Sequence, residues 1–554
     1  MKYFRYLFIT ILALGVYSCE NDTLEELRDR VDTSTEPLPE LTAGNADFSN
    51  YVALGNSLTA GLTDAALFIA AQENSFPNIL SQKFALVGGG SFTQPLTNDN
   101  FGGLALAGTR IQDPRLVFNG SGPAGLESVI GPVTVTTDIA TNNPTGPFNN
   151  LGIPGAKSFH LLAPGYGNIQ NFPAAANPYA VRVTGNAPNA SILELAVSQN
   201  PSFFSLWIGN NDVLGYATTG GDGTNPITPV MGPPGVGFNE TYAALIQSLT
   251  AGGAQGVVAN IPDVTSIPHF TTVPFNPLDP SNPDFGPLIP TLNSLFGALN
   301  GVYAFLQSQG ALSADEVAVR SISFSDSEAN PVVLRDENLT DLSAQITQVL
   351  LANPDFPAFL AQFGLPPQAA PQVAGLLGLN YGQSRQATAD DLFVLPSSAV
   401  IGTVNQDFAA FLQSQGLPAA IAAQFATEGV TLPLEDKWVL LPSEQEEIAM
   451  ATEMFNATIE SLSSQAGLAL VDANTLLNEL CCTGLSSSNF ILTNDLVLGG
   501  AFSLDGIHPT ARGYALIANE FMRAIDETYG SNFEASGNFV DIGEYPTNYS
   551  PLLQ

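Results

Sequence analysis

The sequence predicts an α/β fold in which helices cover both faces of a parallel sheet. Short apolar runs bounded by glycine or asparagine recur along the chain of 554 residues, and amphipathic segments of helical length separate them. Strands that alternate with helices are typical of parallel sheets, because each parallel connection must cross over the sheet. The runs that predict buried strands are residues 51–54, 203–208, 256–260 and 467–471.

Amphipathic segments between these runs predict the helices. Ser443 and Glu446 match a capping box, so we expect a helix from there to about residue 464. The last long helix is expected over 511–525, with one face formed by Tyr514, Ile517, Phe521 and Ile525. Two further helices are predicted over 75–84 and 240–249.

Two segments interrupt the alternation. Residues 86–148 are rich in Gly, Pro and Asn, with short β-like runs such as 133–136. Residues 271–440 are rich in Pro and predict a helical insertion large enough to cap a site. Similar phrases in that insertion begin at Ala304, Ala358 and Ala410, which indicates either a degenerate repeat or three helix ends closed by glycine. The main domain is then expected over 50–270 and 441–530, with a C-terminal tail over 531–554.

Charge excludes one class of partner. The chain has 15 Lys and Arg against 51 Asp and Glu, a formal net charge of −36. So acidic a surface repels nucleic acid at long range, so we expect no nucleic-acid partner.

The N-terminus predicts export. Lys2 and Arg5 precede a short apolar run over 6–14, which is too short to span a membrane. A small residue and then Cys19 follow, and the whole segment resembles a bacterial lipoprotein signal. That resemblance implies a signal peptide over 1–19 and a lipidated Cys19. It also implies that the protein is attached to a membrane of the bacterial cell envelope, for which we favour the outer membrane. The sequence does not indicate on which face of the membrane the protein lies. An ordinary cleaved signal peptide or an uncleaved anchor are the alternatives. Residues 20–49 are acidic and predict a tether.

The two other cysteines, Cys481 and Cys482, are adjacent. Their spacing matches no metal site, and no metal is expected. They predict either a vicinal disulfide or, as we favour, two small buried apolar residues.

Ser57 occupies the most informative position. The apolar run over 51–54 ends at Gly55 and Asn56, and helix-tolerant residues follow the serine. A serine between a strand and a helix exposes its hydroxyl beside free backbone N–H groups, which suits a nucleophile. The alternative is a turn in which the serine caps the helix. A candidate general base elsewhere in the chain would favour the nucleophile over the cap.

Among the three histidines, His508 suits the role of that base. Pro509 biases His508 away from helical geometry and fits the first position of the helix that follows. Asp505 lies three residues back, close enough to bind one imidazole nitrogen and orient the ring. A plain helix-entry turn would explain the same residues. We expect the other histidines, His160 and His269, to be structural, although His269 lies near enough to a strand end to line a pocket.

Two glycine- and asparagine-rich turns complete the set. Residues 150–155 form a turn in which the Gly155 N–H could donate to an oxyanion. Residues 209–212 follow the strand over 203–208, so the Asn211 amide would lie at the carboxyl edge of the sheet. Either segment alone would also be explained as an ordinary turn.

The four blocks in this order resemble the SGNH (GDSL-type) hydrolase family, in its lipase and esterase branch. The resemblance covers residues 50–530 in blocks and includes the stretches 260–268 and 505–514. It implies a flavodoxin-like three-layer α/β/α sandwich with a parallel sheet. It also implies Ser57, His508 and Asp505 as the catalytic triad, an oxyanion hole of the Ser57 N–H, Gly155 and Asn211, and no cofactor.

Asn56 departs from the family pattern, which has aspartate before the serine. An amide retains much of the local hydrogen bonding, so we expect activity to survive, with loop rigidity the property at risk. Thr59 excludes the Gly-x-Ser-x-Gly elbow of α/β-hydrolases.

The resemblance implies a carboxylesterase or lipase that acts on an ester substrate through an acyl-enzyme. The alternatives are a deacetylase of acetylated polysaccharide and a non-catalytic surface binding lipoprotein with the same fold. A deep apolar pocket under the 271–440 insertion would favour lipids, whereas an open aromatic cleft would favour sugars. The oligomeric state is left open.

Overall fold

A computed structural model describes residues 37–554, so the signal peptide predicted over 1–19 and most of the tether lie outside the described residues. Over 37–554, no helix has both the length and the apolar character that a bilayer crossing requires. The lipidation of Cys19 and the envelope location therefore stay predictions.

A five-stranded parallel sheet forms the centre of the molecule. The strands are β1 Tyr51–Gly55, β2 Asn150–Gly152, β3 Phe203–Trp207, β4 Gln255–Ala259 and β5 Ala469–Val471. Their order in the sheet is β2-β1-β3-β4-β5, and all neighbouring strands run parallel. The mixed α/β class and the parallel sheet are therefore confirmed. The sequence predicts residues 150–152 as part of a turn, because a run of three residues is too short to be recognised as a strand from its pattern.

Two groups of helices pack against this sheet and share one hydrophobic core with it. The first group is Phe76–Ala85 and Ala511–Tyr529. The second is Ile192–Val197, Phe238–Thr250 and Pro442–Ala466. Further helices in this part of the chain are Ser57–Ala60, Ile69–Glu73, Leu126–Ile130, Pro178–Thr184, Asn210–Thr218, Pro268–Thr271 and Ala473–Cys482.

The last helix begins at Ala511 as predicted and extends past the predicted end to Tyr529. The capping box predicted at Ser443 and Glu446 is wrong, and so is Pro509 as the first helical position. The long helix begins at Pro442, since proline suits the first helical position, and Glu444 rather than Glu446 accepts a hydrogen bond from the Leu441 N–H at 2.6 Å. Thr510 caps the last helix through its hydroxyl, which accepts from the Gly513 N–H at 3.0 Å, so Pro509 precedes the cap.

The 86–148 segment folds as hairpins against the main domain. Residues 133–136, predicted as β-like, form no strand; the Arg110 guanidinium and the Asn98 side chain donate to carbonyls there instead. The paired strands are Leu104–Leu106 with Thr109–Gln112 and Leu116–Phe118 with Pro123–Gly125.

The 271–440 insertion buries a hydrophobic cluster of its own, which extends from Val273 to Leu441. The three similar phrases each end at a helix terminus followed by a glycine with positive φ, which supports the interpretation as helix ends. Short strand pairs join Val333–Arg335 to Ser384–Gln386 and Leu392–Phe393 to Val439–Leu440. The helices are Ile289–Ser308, Ala314–Arg320, Ser343–Ala352, Phe356–Leu360, Ala370–Tyr381, Gln406–Ser414 and Ala419–Phe425.

Both ends of the described chain pack on the main domain. Phe48, inside the segment predicted as a tether, is buried and stacks on Phe84 with ring centroids 3.9 Å apart. In the C-terminal segment, Phe533 and Ile542 are buried, and Tyr549 contacts Phe68 edge to face.

The cysteine prediction is wrong. Cys481 and Cys482 are free thiols at the end of the Ala473–Cys482 helix, with Cys481 half-buried and Cys482 exposed. Leu477 and Leu480 lie on the buried face of this helix. The two cysteines follow Leu480 and lie on its more exposed side.

Candidate active site

The register of the sheet brings three sequence blocks to one edge. Gly55 at the end of β1 pairs with Gly152 of β2 and with Trp207 of β3. Ser57, Gly155 and Asn211 lie two to four residues beyond these aligned positions, so they leave the sheet side by side. The chain passes from β1 to β2 on one side and then to β3 on the other. This reversal of strand order is where open α/β sheets bind their ligands.

Ser57 begins a four-residue helix directly after the strand. Asn56 caps this helix, since its Oδ1 accepts from the Leu58 N–H at 3.0 Å. Within residues 37–554, the Ser57 N–H donates to no protein acceptor and is available to a ligand.

His508 and Asp505 come from the opposite end of the sequence and complete a hydrogen-bonded chain with Ser57. The His508 Nε2 lies 2.9 Å from Ser57 Oγ, and the His508 Nδ1 lies 2.8 Å from Asp505 Oδ2. Gly506 adopts a φ of +72° in this loop and accepts from the His269 N–H at 2.9 Å. A side chain at Gly506 would crowd the same nitrogen at 3.0 Å, so glycine is required to keep the loop in place. The sequence-predicted serine, histidine and aspartate are thus brought together.

Asp505 is held as a carboxylate. Its Oδ1 accepts from the Ile507 and His508 N–H groups, both at 2.9 Å, and its Oδ2 accepts from the Ala65 N–H at 2.9 Å. Burial opposes its ionisation, but the charge and hydrogen bonds of His508 together with the backbone donors keep the pKa of Asp505 well below its ordinary value. The imidazole Nδ1 therefore faces a fixed acceptor.

A strained turn supports Asp505 from behind, and the sequence did not reveal it. Asp64 and Ala65 have φ values of +51° and +64°, between the paired residues Thr63 and Ala66. Positive φ at two successive non-glycine residues is costly, and here it aims the Ala65 N–H at Asp505. The Asp64 N–H donates to Ser503 Oγ at 3.0 Å, and Ser503 Oγ lies 3.1 Å from Asp505 Oδ1.

The Asp64 carboxyl is buried in the same region. It accepts from the Leu504 N–H at 3.1 Å. Burial, with the nearby charge of Asp505, raises the pKa of Asp64 to about 7. These contacts join residues 440 positions apart, which is why no local pattern predicts them.

The Gly155 turn places a second free donor beside β1. The Ala156 N–H donates to the Ile153 carbonyl at 3.0 Å, with Pro154 and Gly155 between them. Proline followed by a residue with a φ of +77° defines a type II turn, which requires glycine at the third position. Among residues 37–554, the Gly155 N–H has no protein acceptor.

Asn211 is tied to this same turn. One hydrogen of its Nδ2 is donated to the Ala156 carbonyl at 2.9 Å, which leaves the other for a ligand. Asp212 fixes the turn from below: its carboxylate accepts from the Ser158 N–H at 2.8 Å and from Ser158 Oγ at 2.6 Å. Burial raises the pKa of Asp212 to about 6 despite these donors. The positioning roles of Asp212 and Ser158 carry no separate signal in the sequence.

The asparagine at position 56 is fitted to its surroundings. Its Nδ2 donates to Asn210 Oδ1 at 3.0 Å, and both residues are buried. Asn56 therefore bonds both to the helix that begins at Ser57 and to the helix that begins at Asn210. The loop that carries the serine is held at two points.

We expect Asn56→Ala to lower the free energy of unfolding by about 1–3 kcal/mol, since it removes a cap and leaves the Asn210 oxygen unpaired. Urea unfolding of both single variants and of the double variant with Asn210→Ala measures the coupling. A pair that acts together gives a coupling of about 0.5–1.5 kcal/mol. Costs that add within about 0.3 kcal/mol would contradict a contribution from the pair.

The other two histidines lie outside the hydrogen-bonded chain. His160 stacks on Tyr166 with centroids 4.5 Å apart, and its Nδ1 accepts from the Lys157 N–H at 3.0 Å. Burial and the charge of Lys157 lower the pKa of His160 to about 4. Burial also lowers the pKa of His269 to about 4, against the attraction of Asp505. Both are neutral near pH 7.

Three carboxyl groups approach one another away from Ser57. Ligand atoms of Glu337, Asp436 and Glu444 lie within 4.8 Å of one another. Burial and then the mutual charges raise the pKa of Glu444 to about 9, and burial with the charge of Glu337 raises that of Asp436 to about 7. None of the three lines the spaces beside the triad.

Two spaces flank the loop of His508. The first, which we call the apolar cavity, opens on Ser57 and His508 and has about 840 Å³ of empty space, its open mouth included. The second, the insertion groove, has about 2240 Å³ of empty space, its open mouth included. The 271–440 insertion forms one side of this groove, and Asp505 and His269 lie on the other. No residue of the insertion lines the apolar cavity, so an apolar pocket at Ser57 exists but not under the insertion.

Comparisons with protein-family models, with curated proteins and with solved structures find no match for this chain.

Proposed function

We propose that this chain is a serine ester hydrolase of the SGNH type with a flavodoxin-like fold. The observation that carries the proposal is the chain of hydrogen bonds from Asp505 through His508 to Ser57, with distances of 2.8 and 2.9 Å. The strand order β2-β1-β3-β4-β5, which is that of flavodoxin-like sheets, supports the proposed fold.

The first half of the reaction acylates Ser57. His508 Nε2 removes the hydroxyl proton as Ser57 Oγ attacks the ester carbonyl carbon. Asp505 accepts from the Nδ1–H and stabilises the imidazolium. When the tetrahedral intermediate collapses, the bond to the alkoxy oxygen breaks, and the Nε2–H protonates the departing alcohol.

The developing oxyanion needs donors that are already in place. The free N–H groups of Ser57 and Gly155 and the free hydrogen of Asn211 Nδ2 are the candidates, because no protein acceptor among the described residues occupies them. The hydrogen bond from Asn211 to Ala156 holds the amide beside the Gly155 turn. These donors are thus oriented before the substrate arrives.

The second half of the reaction releases the acid. Water enters where the alcohol left, and His508 Nε2 takes its proton as the oxygen attacks the acyl carbon. The bond to Ser57 Oγ then breaks, and the imidazolium returns the proton to the serine. Water is the only co-reactant.

We expect Asn211→Ala to lower kcat for a p-nitrophenyl ester by about 10²–10³-fold with a small change in KM, because the lost donor acts mainly in the transition state. Steady-state kinetics on purified protein measures this. Asn478→Ala on the exposed face of the Ala473–Cys482 helix is the matched control, for which we expect unchanged kinetics. Equal kcat values for the two variants would rule out the oxyanion role of Asn211.

A further inference from the structure

The walls of the apolar cavity divide into a polar end and an apolar body. The polar side chains that line it are Ser57 and His508 and the amides of Asn56, Asn210 and Asn211, all at the site of attack. Every other lining residue lacks a hydroxyl, an amide side chain or a charge, and the Trp207 N–H is already donated to the Asn260 carbonyl at 3.1 Å.

Two elements that follow neighbouring strands form part of the apolar body, and the helix Ala511–Tyr529 adds Leu516 and Ile517 to it. After β4, the loop that includes Pro262, Val264 and Ile267 forms one wall. After β5, the Ala473–Cys482 helix forms another. Leu476, Leu477 and Leu480 lie on one face of this helix, because residues three and four apart are neighbours on a helix surface.

The helix is fixed in place over the cavity. Asp472 Oδ1 caps it by accepting from the Thr475 N–H at 3.0 Å, and the same oxygen accepts from Asn260 Nδ2 at 2.8 Å. Asn260 stands at the end of β4, so the two walls are bonded to each other at their base. The cavity is therefore a built feature of the fold.

We propose that the substrates are esters of long, unbranched aliphatic acids, and that the acyl chain lies in the apolar cavity; this rests on the proposed esterase function. An acetyl group would leave the apolar body empty, and a sugar would find no hydrogen-bonding partner along it. An aliphatic chain that starts at the carbonyl beside Ser57 matches the polar end and the apolar body together.

Burial of the chain gives a quantitative expectation. Each additional methylene that enters the cavity raises kcat/KM by about fourfold until the cavity is filled. The wild-type protein should therefore hydrolyse p-nitrophenyl octanoate and laurate with higher kcat/KM than the acetate. Release of acetate from acetylated xylan should be slower than hydrolysis of any of these esters.

The first test is a variant whose larger side chain fills part of the apolar cavity. We expect Leu477→Phe to lower the ratio of kcat/KM for the laurate to kcat/KM for the acetate by about tenfold or more. Leu379→Phe is the matched control, since Leu379 is an exposed leucine of the insertion that lines neither space. It should leave the ratio of laurate to acetate unchanged.

A second variant keeps the test decisive if Leu477→Phe does not fold. Leu480→Ala shortens a side chain in the same wall and so enlarges the cavity, which should increase the preferred length of the acyl chain. An unchanged chain-length profile in the folded variants, or a wild-type preference for acetate or acetylated xylan, would overturn the acyl-chain assignment. Failure to hydrolyse any ester would instead overturn the esterase proposal on which the assignment rests.

Discussion

Ser57→Ala is expected to lower kcat for a p-nitrophenyl ester on the order of 10⁴–10⁶-fold. The hydroxyl is the attacking group, and no other hydroxyl lies within hydrogen-bonding distance of His508 Nε2 among the described residues. The fold should persist, because Ser57 Oγ makes its hydrogen bond to His508 alone and the helix it starts is capped by Asn56. Rates on purified variant, with thermal unfolding beside them, measure both effects.

Ser81→Ala is the matched control for that variant. Ser81 is buried like Ser57, but it lies in the Phe76–Ala85 helix, where its hydroxyl donates to the Asn78 carbonyl at 2.7 Å. The control should retain the wild-type rate. A Ser57→Ala protein that is folded and still turns over the ester at a comparable rate would refute the nucleophile assignment.

Asp505→Asn is expected to lower kcat on the order of 10⁴-fold. An asparagine amide that faces His508 Nδ1 would donate rather than accept, which favours the tautomer that carries its proton on Nε2. That tautomer cannot take the proton from Ser57. The amide would also meet the Ala65 N–H, which now donates to the carboxylate at 2.9 Å. Steady-state kinetics with the same ester measures the loss, and a decrease of less than about tenfold would contradict this role.

The same substitution changes how stability depends on pH. The folded-state pKa of Asp505 lies below that of an unfolded aspartate, so its ionisation stabilises the fold above about pH 4 and less so as the pH falls. Asparagine does not ionise. The difference in free energy of unfolding between wild type and variant should therefore be largest near neutral pH and shrink steadily below about pH 4, as urea unfolding at several pH values would measure. A constant difference would mean that the carboxylate is not selectively stabilised in the fold.

The sequence predicts the elements whose signal is local. Runs such as 203–208 and 256–260 are apolar because both faces of a central parallel strand are buried, and the structure has strands at both. The order of blocks around Ser57, Gly155, Asn211 and His508 could likewise be recognised, because each lies just beyond a strand or before a helix. Parallel register then brings the first three of these blocks together.

Contacts between distant residues could not be predicted in this way. The Ala65 N–H donates to Asp505, and the Leu504 N–H donates to Asp64, only after residues 440 positions apart have come together. Alanine in a left-handed turn has no sequence signal. The sequence leaves open whether an apolar pocket lies under the 271–440 insertion. The walls of the apolar cavity come instead from segments after β4 and β5 and from the last helix, where Val264, Leu477 and Leu516 look like ordinary core residues.

Reaction with a serine-directed fluorophosphonate tests the proposed chemistry most directly. The reagent is attacked only by an activated hydroxyl, so peptide mass spectrometry of the wild-type protein should find the phosphonyl group on Ser57. The His508→Ala variant should remain unlabelled under the same conditions, because the base that activates the hydroxyl is gone. Labelling at a different serine, equal labelling of the His508→Ala variant, or an unlabelled wild-type protein would each contradict the triad.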